Sequence, residues 1–182
     1  LSVNNFKTVD DRRISQLNFE NVSVEADHVV SSGDEAELLM KDAINFGTLC
    51  VSAEAVGSME SCYLKTVEYT KSREQFGQPI SNFQVLQHKM VDMFIESELC
   101  KSLLYKSMID VHENNDSKYR SVAALKSQVG ISGKKVGEDA VQLHGGMGVS
   151  EEMSIGHYLK RFIAIDSQFG NSHFHLKKFN NS

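Results

Sequence analysis

The chain has 182 residues, of which 41% are hydrophobic, and this is enough to fill the core of one domain. Its formal net charge is -5, and its 19 lysines and arginines are scattered rather than clustered, which argues against nucleic-acid binding. Because it contains no apolar run of about 18 residues and no signal-peptide pattern, we expect a cytoplasmic protein without membrane segments.

Residues 1–30 are predicted to form a short β segment. Within it, over residues 6–30, apolar residues such as Phe6, Ile14 and Leu17 stand among charged residues and turn formers, a pattern typical of two short strands with a hairpin-like turn. The segment starts with leucine and has no earlier element to pair with. We therefore expect the chain to be a fragment of a longer polypeptide.

From residue 31 onward the apolar residues recur at helical spacing. The pattern predicts helices from the N-cap candidates at Ser31–Asp34 to about Ser72, from about Phe83 to His112, from Val122 to Leu143 and from about Glu151 to Ala164, with a short helix after Asn171. No internal repeat or flexible linker divides them. Together, the predicted helices and strands indicate a mainly α fold, an antiparallel four-helix bundle with a short N-terminal β segment.

The three cysteines, Cys50, Cys62 and Cys100, are odd in number, far apart and set in apolar helical patterns. We therefore expect small core residues in a reducing compartment rather than disulfides or metal ligands. No metal site is predicted.

Two glycine-containing loops, Arg73–Ile80 and Gln142–Gly148, combine a permissive backbone with side chains suited to a flat, anionic ligand. An arginine offers a phosphate a fixed fork of donors, and a phenylalanine face can stack on a base. Gly145 and Gly146 expose backbone N–H groups without a Cβ in the way. Taken alone, the second loop is better explained as a turn that ends a helix, because it lacks the preceding strand and the spacing of a dinucleotide fingerprint.

Together the two loops resemble the acyl-CoA dehydrogenase family. The run Tyr69–Gln84 looks like the segment between the first two C-terminal helices of that family, and Gln142–Gly148 is similar to its glutamine-x-x-glycine-glycine-x-glycine turn. The resemblance covers essentially the whole chain. It implies that residues 1–30 are a remnant of the central β-domain and that residues 31–182 are the C-terminal helical bundle domain.

In that family the corresponding residues bind the adenosine-diphosphate half of an FAD that belongs to a neighbouring subunit. The resemblance therefore implies FAD as the cofactor. The residues that it places at the cofactor are Arg73, Gln75, Phe76, Ile80, Phe83, Gln84, Gln142, Gly145 and Gly146, with Asn171 and Ser172 after a later glycine. For Ile80, Phe83 and Gln84, helix packing explains the spacing equally well.

The catalytic glutamate of the family has no counterpart at either of its two usual positions. Matching Gly170 to the glycine that follows the glutamate places Phe169 at the first position. Counting back from Arg73 places Gly47 at the second position, which some branched-chain members use. Neither side chain can accept a proton.

Asp166 is the carboxylate nearest to the missing glutamate and is a candidate base. The alternative is a helix-end carboxylate that pairs with Lys160 or Arg161, which is the more common role for such a residue. The identity of the catalytic residue stays open at this point.

The resemblance implies a dehydrogenase that oxidises an acyl-CoA thioester to its 2,3-enoyl form and passes electrons to an electron-transfer flavoprotein. The segment Gly156–Asn171 resembles small subunits of the pimeloyl-CoA dehydrogenase type, several of which work in heteromeric pairs, so a partner could supply the glutamate. Two other hypotheses are a non-catalytic partner subunit or pseudoenzyme, and a related flavoenzyme with different thioester chemistry. We expect a homo- or hetero-oligomer, either a dimer or a dimer of dimers.

Overall fold

The computed structural model describes residues 1–181, which form five α-helices and two small antiparallel sheets. The helices are α1 (Gly33–Ser72), α2 (Gln84–His112), α3 (Lys118–His144), α4 (Ser154–Ser167) and α5 (Ser172–Asn180). One sheet pairs β1 (Ser2–Lys7) with β2 (Arg13–Asn18), and the other pairs β3 (Glu74–Gln75) with β4 (Gln78–Pro79). The mainly α prediction is confirmed. No helix within the described range is long and apolar enough to cross a membrane.

Helices α1 to α4 form an up-down-up-down bundle, because residues late in one helix contact residues early in the next. The pairs that fix these directions are Glu60 with Lys101 and Thr70 with Met90 between α1 and α2, Lys89 with Asp139 and Glu96 with Lys135 between α2 and α3, and Gly137 with Leu159 and Gly130 with Asp166 between α3 and α4. Helices α1 and α3 therefore point the same way. The predicted antiparallel four-helix bundle is confirmed.

Helix α3 is central and contacts the other four helices. Its small residues allow this close approach, since a Cβ added at Gly137 would lie 3.0 Å from side-chain carbons of both Leu159 and Phe162. The core between the helices includes Met59, Met93, Leu125, Val136 and Ile165, each at most 1% exposed. Burying one such side chain stabilises the fold by about 1.5–3 kcal/mol.

The β1–β2 hairpin lies outside this core, and every residue of its two strands is exposed. Its strands cover residues 2–7 and 13–18, so the prediction of two strands within residues 6–30 was wrong in its bounds. Phe19, Val22 and Val24 follow the second strand and are exposed as well. The apolar residues here are irregularly spaced, and neither face of the sheet is buried. Without a buried face, the sequence pattern does not fix the strand register.

Arg161 of α4 joins the hairpin to the bundle. The Arg161 guanidinium donates to Asp10 in the hairpin turn at 2.7 Å and to the two carboxylate oxygens of Glu54 in α1 at 2.7 and 2.6 Å. The hydrogen bonds from Arg161 hold the pKa of Glu54 below its usual value. The side chains of Asp10 and Arg161 are only 5% and 11% exposed, so the hairpin is held through its turn by a nearly buried ion pair.

Two helix boundaries differ from the prediction. Helix α3 begins at Lys118 rather than Val122, because polar contacts hold its first turn: Lys118 pairs with Asp42 at 2.9 Å and the Tyr119 hydroxyl donates to the same carboxylate at 2.6 Å. Apolar periodicity cannot detect such a turn. Helix α4 begins at Ser154 rather than Glu151, since residues 151–153 form a turn and a bend.

Cys62 and Cys100 are buried as expected, and burial raises their pKa to about 12 and about 11. Both thiols therefore stay protonated and pack as small apolar groups. Cys50 is exposed, which corrects the expectation that all three cysteines lie in the core. The three thiols are free.

Candidate functional site

The loop after α1 is a tight hairpin that carries an exposed aromatic ring. Phe76 and Gly77 connect β3 and β4 with φ angles of 55° and 79°, the two positive values that a type I′ turn requires. This turn lifts the Phe76 side chain to 91% exposure, with its ring edge-to-face against Phe83 at a centroid distance of 6.0 Å. The Ile80 N–H donates to the Arg73 carbonyl at 2.8 Å and closes the loop.

Side chains around this hairpin are left available by the fold. Arg73 is exposed, and no carboxylate among residues 1–181 lies within ion-pair distance of its guanidinium. Gln84 is exposed at the start of α2, whereas Ile80 and Phe83 are half-buried. Gln75 turns back on its own strand, where its amide donates to the Glu74 carbonyl at 2.7 Å.

The loop after α3 contains glycines of two kinds. A Cβ added at Gly145 or Gly146 would meet nothing within 4 Å, so the backbone there is open to a ligand, and Gly145 has a φ of +58°. At Gly148 the same atom would lie 2.7 Å from the carbonyl oxygen of Val141. The third glycine of the motif is therefore required by packing. The Gln142 side chain is exposed beside the first two.

An aromatic stack brings the two loops to one end of the bundle. Tyr69, one turn before Arg73, stacks on His144 with ring centroids 4.1 Å apart, and its hydroxyl donates to the His144 carbonyl at 3.4 Å. The His144 Nδ1 donates to the Ala140 carbonyl at 2.8 Å, and burial lowers the pKa of this ring. The imidazole is therefore neutral at pH 7 and acts as a packing group between α1 and α3.

At the opposite end, Gly47 and Phe169, the two positions that the sequence analysis matched to the catalytic glutamate, lie in direct contact. A Cβ added at Gly47 in α1 would lie 2.9 Å from Cζ of the Phe169 ring, so the ring packs flat against the glycine. Phe169 and Gly170 follow α4 with φ angles of 56° and 99°. Two separate counts along the sequence therefore converge on one place in the structure, and an aromatic ring fills it.

Two buried side chains, to which the sequence analysis assigned no role in the site, hold this turn. Lys126 of α3 is 0% exposed, and its ammonium donates to the carbonyls of Asp166 and Gly170, both at 2.9 Å. His175 of α5 is 2% exposed, and its Nε2 donates to the Phe169 carbonyl at 3.0 Å. Burial lowers the pKa of Lys126 to about 8. These donors fix the strained turn that presents Phe169 to Gly47.

Asp166 has a structural contact in this turn. Its Oδ1 accepts a hydrogen bond from the Ser172 N–H at 2.9 Å, at the first turn of α5, where the Asn171 side chain is the N-cap. The expected pairing with Lys160 or Arg161 is wrong: Lys160 pairs with Glu151, and Arg161 pairs with Glu54 and Asp10. Asp166 supports the start of α5 instead.

An open, mostly apolar pocket of about 660 Å³ lies beside Phe169. The N-terminal half of α1 forms one side of it, and α5 with the turn that precedes α5 forms the other. Its lining residues are Glu37, Met40, Lys41, Ile44, Phe169, Gly170, Phe174, His175 and Lys178. The candidate base Asp166 is not among them. The pocket can hold an apolar group next to the contact of Phe169 with Gly47.

The residues predicted to bind the cofactor are therefore divided between two ends. Arg73, Gln75, Phe76, Ile80, Phe83, Gln84, Gln142, Gly145 and Gly146 lie at one end, whereas Asn171 and Ser172 lie at the other, beside Phe169. Gly47 and Arg73 are 26 residues apart along α1, which is about 40 Å at 1.5 Å per residue. The two groups of residues predicted to bind the cofactor are therefore separated along the length of the bundle.

Comparison with known sequences places this bundle in an oxidoreductase family. Residues 37–178 match the family model for the acyl-CoA dehydrogenase C-terminal domain. The chain belongs to the acyl-CoA dehydrogenase family, as the two loops predicted. FAD, the cofactor implied by the resemblance, is the cofactor of that family.

Individual relatives share the fold over nearly the whole chain. The short-chain-specific acyl-CoA dehydrogenase of Megasphaera elsdenii is 28% identical over 145 residues, which is 80% of this chain and 38% of that protein. The structure of butyryl-CoA dehydrogenase from Megasphaera elsdenii aligns with a TM-score of 0.91 and 24% identity, over 98% of this chain and 47% of that one. The structure of the ChsE4-ChsE5 complex from Mycobacterium tuberculosis aligns with a TM-score of 0.90 and 24% identity, over 99% of this chain and 48% of that one. The chain thus spans less than half the length of each relative.

Proposed function

We propose that this chain is the C-terminal part of an FAD-dependent oxidoreductase that dehydrogenates an acyl-CoA thioester, as a subunit without the usual catalytic glutamate. The observation that carries the proposal is the contact of Phe169 with Gly47, since it removes the base from both usual positions while the pocket beside it is kept. In this proposal residues 1–30 belong to a central β-domain and residues 31–182 form the helical domain.

The Arg73 end fits the adenosine-diphosphate half of FAD. Its guanidinium has no ion-pair partner among residues 1–181, the Phe76 ring is almost fully exposed, and the backbone at Gly145 and Gly146 is open. Arg73 would hold a phosphate, Phe76 would cover a flat ring, and the glycine N–H groups would face the diphosphate. Bound FAD supplies the hydride acceptor for the β-carbon of the thioester. Because the other end of the bundle holds the acyl pocket, each end serves a different flavin in an oligomer.

In this proposal a second subunit supplies the base, since the two positions matched to the family's glutamate hold Phe169 and Gly47 in this chain. Phe169 cannot accept the α-proton of the thioester, and the Asp166 carboxylate is bonded to the backbone of α5 outside the pocket. The turn around Phe169 instead excludes water and packs against the acyl group. Similarity in fold to the ChsE4-ChsE5 complex supports a heteromeric arrangement, in which a second subunit carries the glutamate. An electron-transfer flavoprotein would then reoxidise the flavin.

The same contact favours a second candidate function. A chain with Phe169 against Gly47 and no base could serve as a non-catalytic partner, which completes the FAD site of its neighbour and takes no part in proton transfer. The pimeloyl-CoA type remains the subclass that we propose for the enzymatic alternative. The two functions differ in whether the acyl pocket is used during turnover.

Flavin bleaching separates these functions. We expect the protein alone to leave the flavin absorbance unchanged when acyl-CoA thioesters are added anaerobically, and we expect bleaching once a glutamate-bearing subunit of the family is bound. Phe169→Ala in this complex should change the rate only if the pocket of this chain is used. Bleaching by the protein alone would contradict the proposal, because another residue would then act as the base.

The Arg73 end can be tested by itself with ADP. Arg73→Ala is expected to weaken ADP binding at least about tenfold, because a charge-assisted hydrogen bond to a phosphate contributes about 1.5–3 kcal/mol. Isothermal titration calorimetry measures this. Arg13→Ala, which removes an exposed arginine of the hairpin, is the matched control and should leave the affinity unchanged. Equal losses in both variants would mean that ADP responds to net charge and not to this loop.

A further inference from the structure

The pocket beside Phe169 is lined by two lysines that have no carboxylate partner among residues 1–181. Lys41 of α1 and Lys178 of α5 both line it, and neither ammonium has a carboxylate within ion-pair distance in the part of the chain that the structure describes. The neighbouring Lys118, by contrast, is paired with Asp42 at 2.9 Å. Unpaired cations at the edge of an apolar cavity favour a ligand that brings the negative charge itself.

Both lysines lie near one aromatic ring. The Lys41 ammonium lies 4.0 Å from the centroid of the Tyr119 ring, and that of Lys178 lies 6.0 Å from it. The Tyr119 hydroxyl donates to Asp42, so the nearby carboxylate is already shared by Tyr119 and Lys118. Burial and, after it, repulsion by Lys41 lower the pKa of Lys178. An anion between the two ammonium groups would relieve that repulsion.

The remaining lining completes an amphipathic site. Ile44, Phe169 and Phe174 supply apolar walls, and Glu37 is a carboxylate in the lining that lies beyond ion-pair distance of both lysines. The lining therefore contains two cations against one anion. An occupant with an apolar body and one anionic group satisfies both parts of the pocket.

We propose that this pocket binds an amphipathic anion, with its apolar part against Ile44, Phe169 and Phe174 and its anionic group between Lys41 and Lys178. The inference rests on the proposed function, because it names the class of acyl compound that occupies the pocket. The anionic oxygens belong either to a carboxylate on the acyl chain or to a phosphate of the carrier. Both present several acceptors to two ammonium groups.

Three probes test this on the whole chain by NMR: octanoate, its neutral methyl ester and coenzyme A without an acyl group. Octanoate is expected to shift amide signals of residues 40–47 and 169–178 and to bind about tenfold more tightly than methyl octanoate. The double variant Lys41→Gln, Lys178→Gln should abolish that preference and leave the binding of the ester unchanged. The control pair Lys134→Gln, Lys177→Gln, on the surface of α3 and α5, should keep it.

The outcomes also separate the two sources of charge. Binding of coenzyme A that depends on Lys41 and Lys178 assigns the anionic group to the carrier, and a dependence seen with octanoate alone assigns it to the acyl chain. The proposal is overturned if neither the preference for octanoate nor binding of coenzyme A depends on these lysines. If ADP binding did not depend on Arg73 while these results held, the flavin site would be refuted and this inference would still stand.

Discussion

Lys126→Met is expected to lower the free energy of unfolding by about 2 kcal/mol or more at pH 7. The substitution keeps the length and apolar stem of the side chain but leaves the buried carbonyls of Asp166 and Gly170 without their donor. Each unsatisfied buried acceptor costs about 1–3 kcal/mol, and relief of the buried positive charge offsets part of this. Urea denaturation followed by circular dichroism measures the change.

Lys134→Met is the matched control on the same helix. Its side chain is 61% exposed and forms an i,i+4 pair with Glu138 at 3.8 Å, so the substitution should change the free energy of unfolding by no more than about 0.5 kcal/mol.

The pH dependence of the stability supplies a second readout for Lys126→Met. Since burial lowers the pKa of Lys126 from the ordinary lysine value of 10.5 to about 8, the folded state binds fewer protons between these pH values. The stability of the parent relative to Lys126→Met should therefore rise from pH 8 to 10.5. A flat difference would mean that Lys126 is not held as described.

Gly148→Ala is expected to destabilise the fold by about 1–3 kcal/mol and to displace the loop that carries Gly145 and Gly146. The added Cβ would lie 2.7 Å from the backbone oxygen of Val141 and 3.0 Å from its Cα, and backbone atoms cannot move aside as a flexible side chain does. Thermal unfolding reports the loss of stability, and amide chemical shifts of the loop report its displacement.

The control for this substitution is expected to change stability in the opposite direction. Gly57 lies exposed in the middle of α1, and a Cβ added there meets nothing within 4 Å. Gly57→Ala should therefore stabilise the protein by about 0.5–1 kcal/mol through helix propensity. If Gly148→Ala matched this gain, the close contact with Val141 would not exist in solution.

Apolar periodicity was sufficient to predict the helices, because each buries one face against its neighbours. It failed where polar contacts or missing partners decide the structure, as at the first turn of α3 and in the hairpin. Lys126 was missed for a related reason, since a lysine among small residues suggests a solvated face. Its position was the available signal: Val122, Lys126 and Val129 lie on one stripe at helical spacing, and the outer two are buried valines.

The site was predicted as a set of residues but not as an arrangement. The motifs located Arg73, Gly145, Phe169 and Gly47 by number, and the counts to Phe169 and Gly47 were independent of each other. Only the structure brings these two together, since a contact across 122 positions has no local signature. The role of Asp166 also could not be predicted from the sequence, because its partner is a backbone N–H and not a charged side chain.

The alternation of helix directions has an electrostatic consequence. At the Arg73 end, α1 and α3 finish while α2 and α4 begin. The partial negative charges at the C-termini of α1 and α3 therefore lie beside the partial positive charges at the N-termini of α2 and α4. The opposing fields largely cancel, and the bundle offers an anion little attraction of its own at that end. In the proposed FAD site, a phosphate there would depend on the Arg73 guanidinium and on individual N–H groups. Its affinity should therefore decrease with ionic strength as expected for one fixed charge, unlike a site built on a single helix N-terminus.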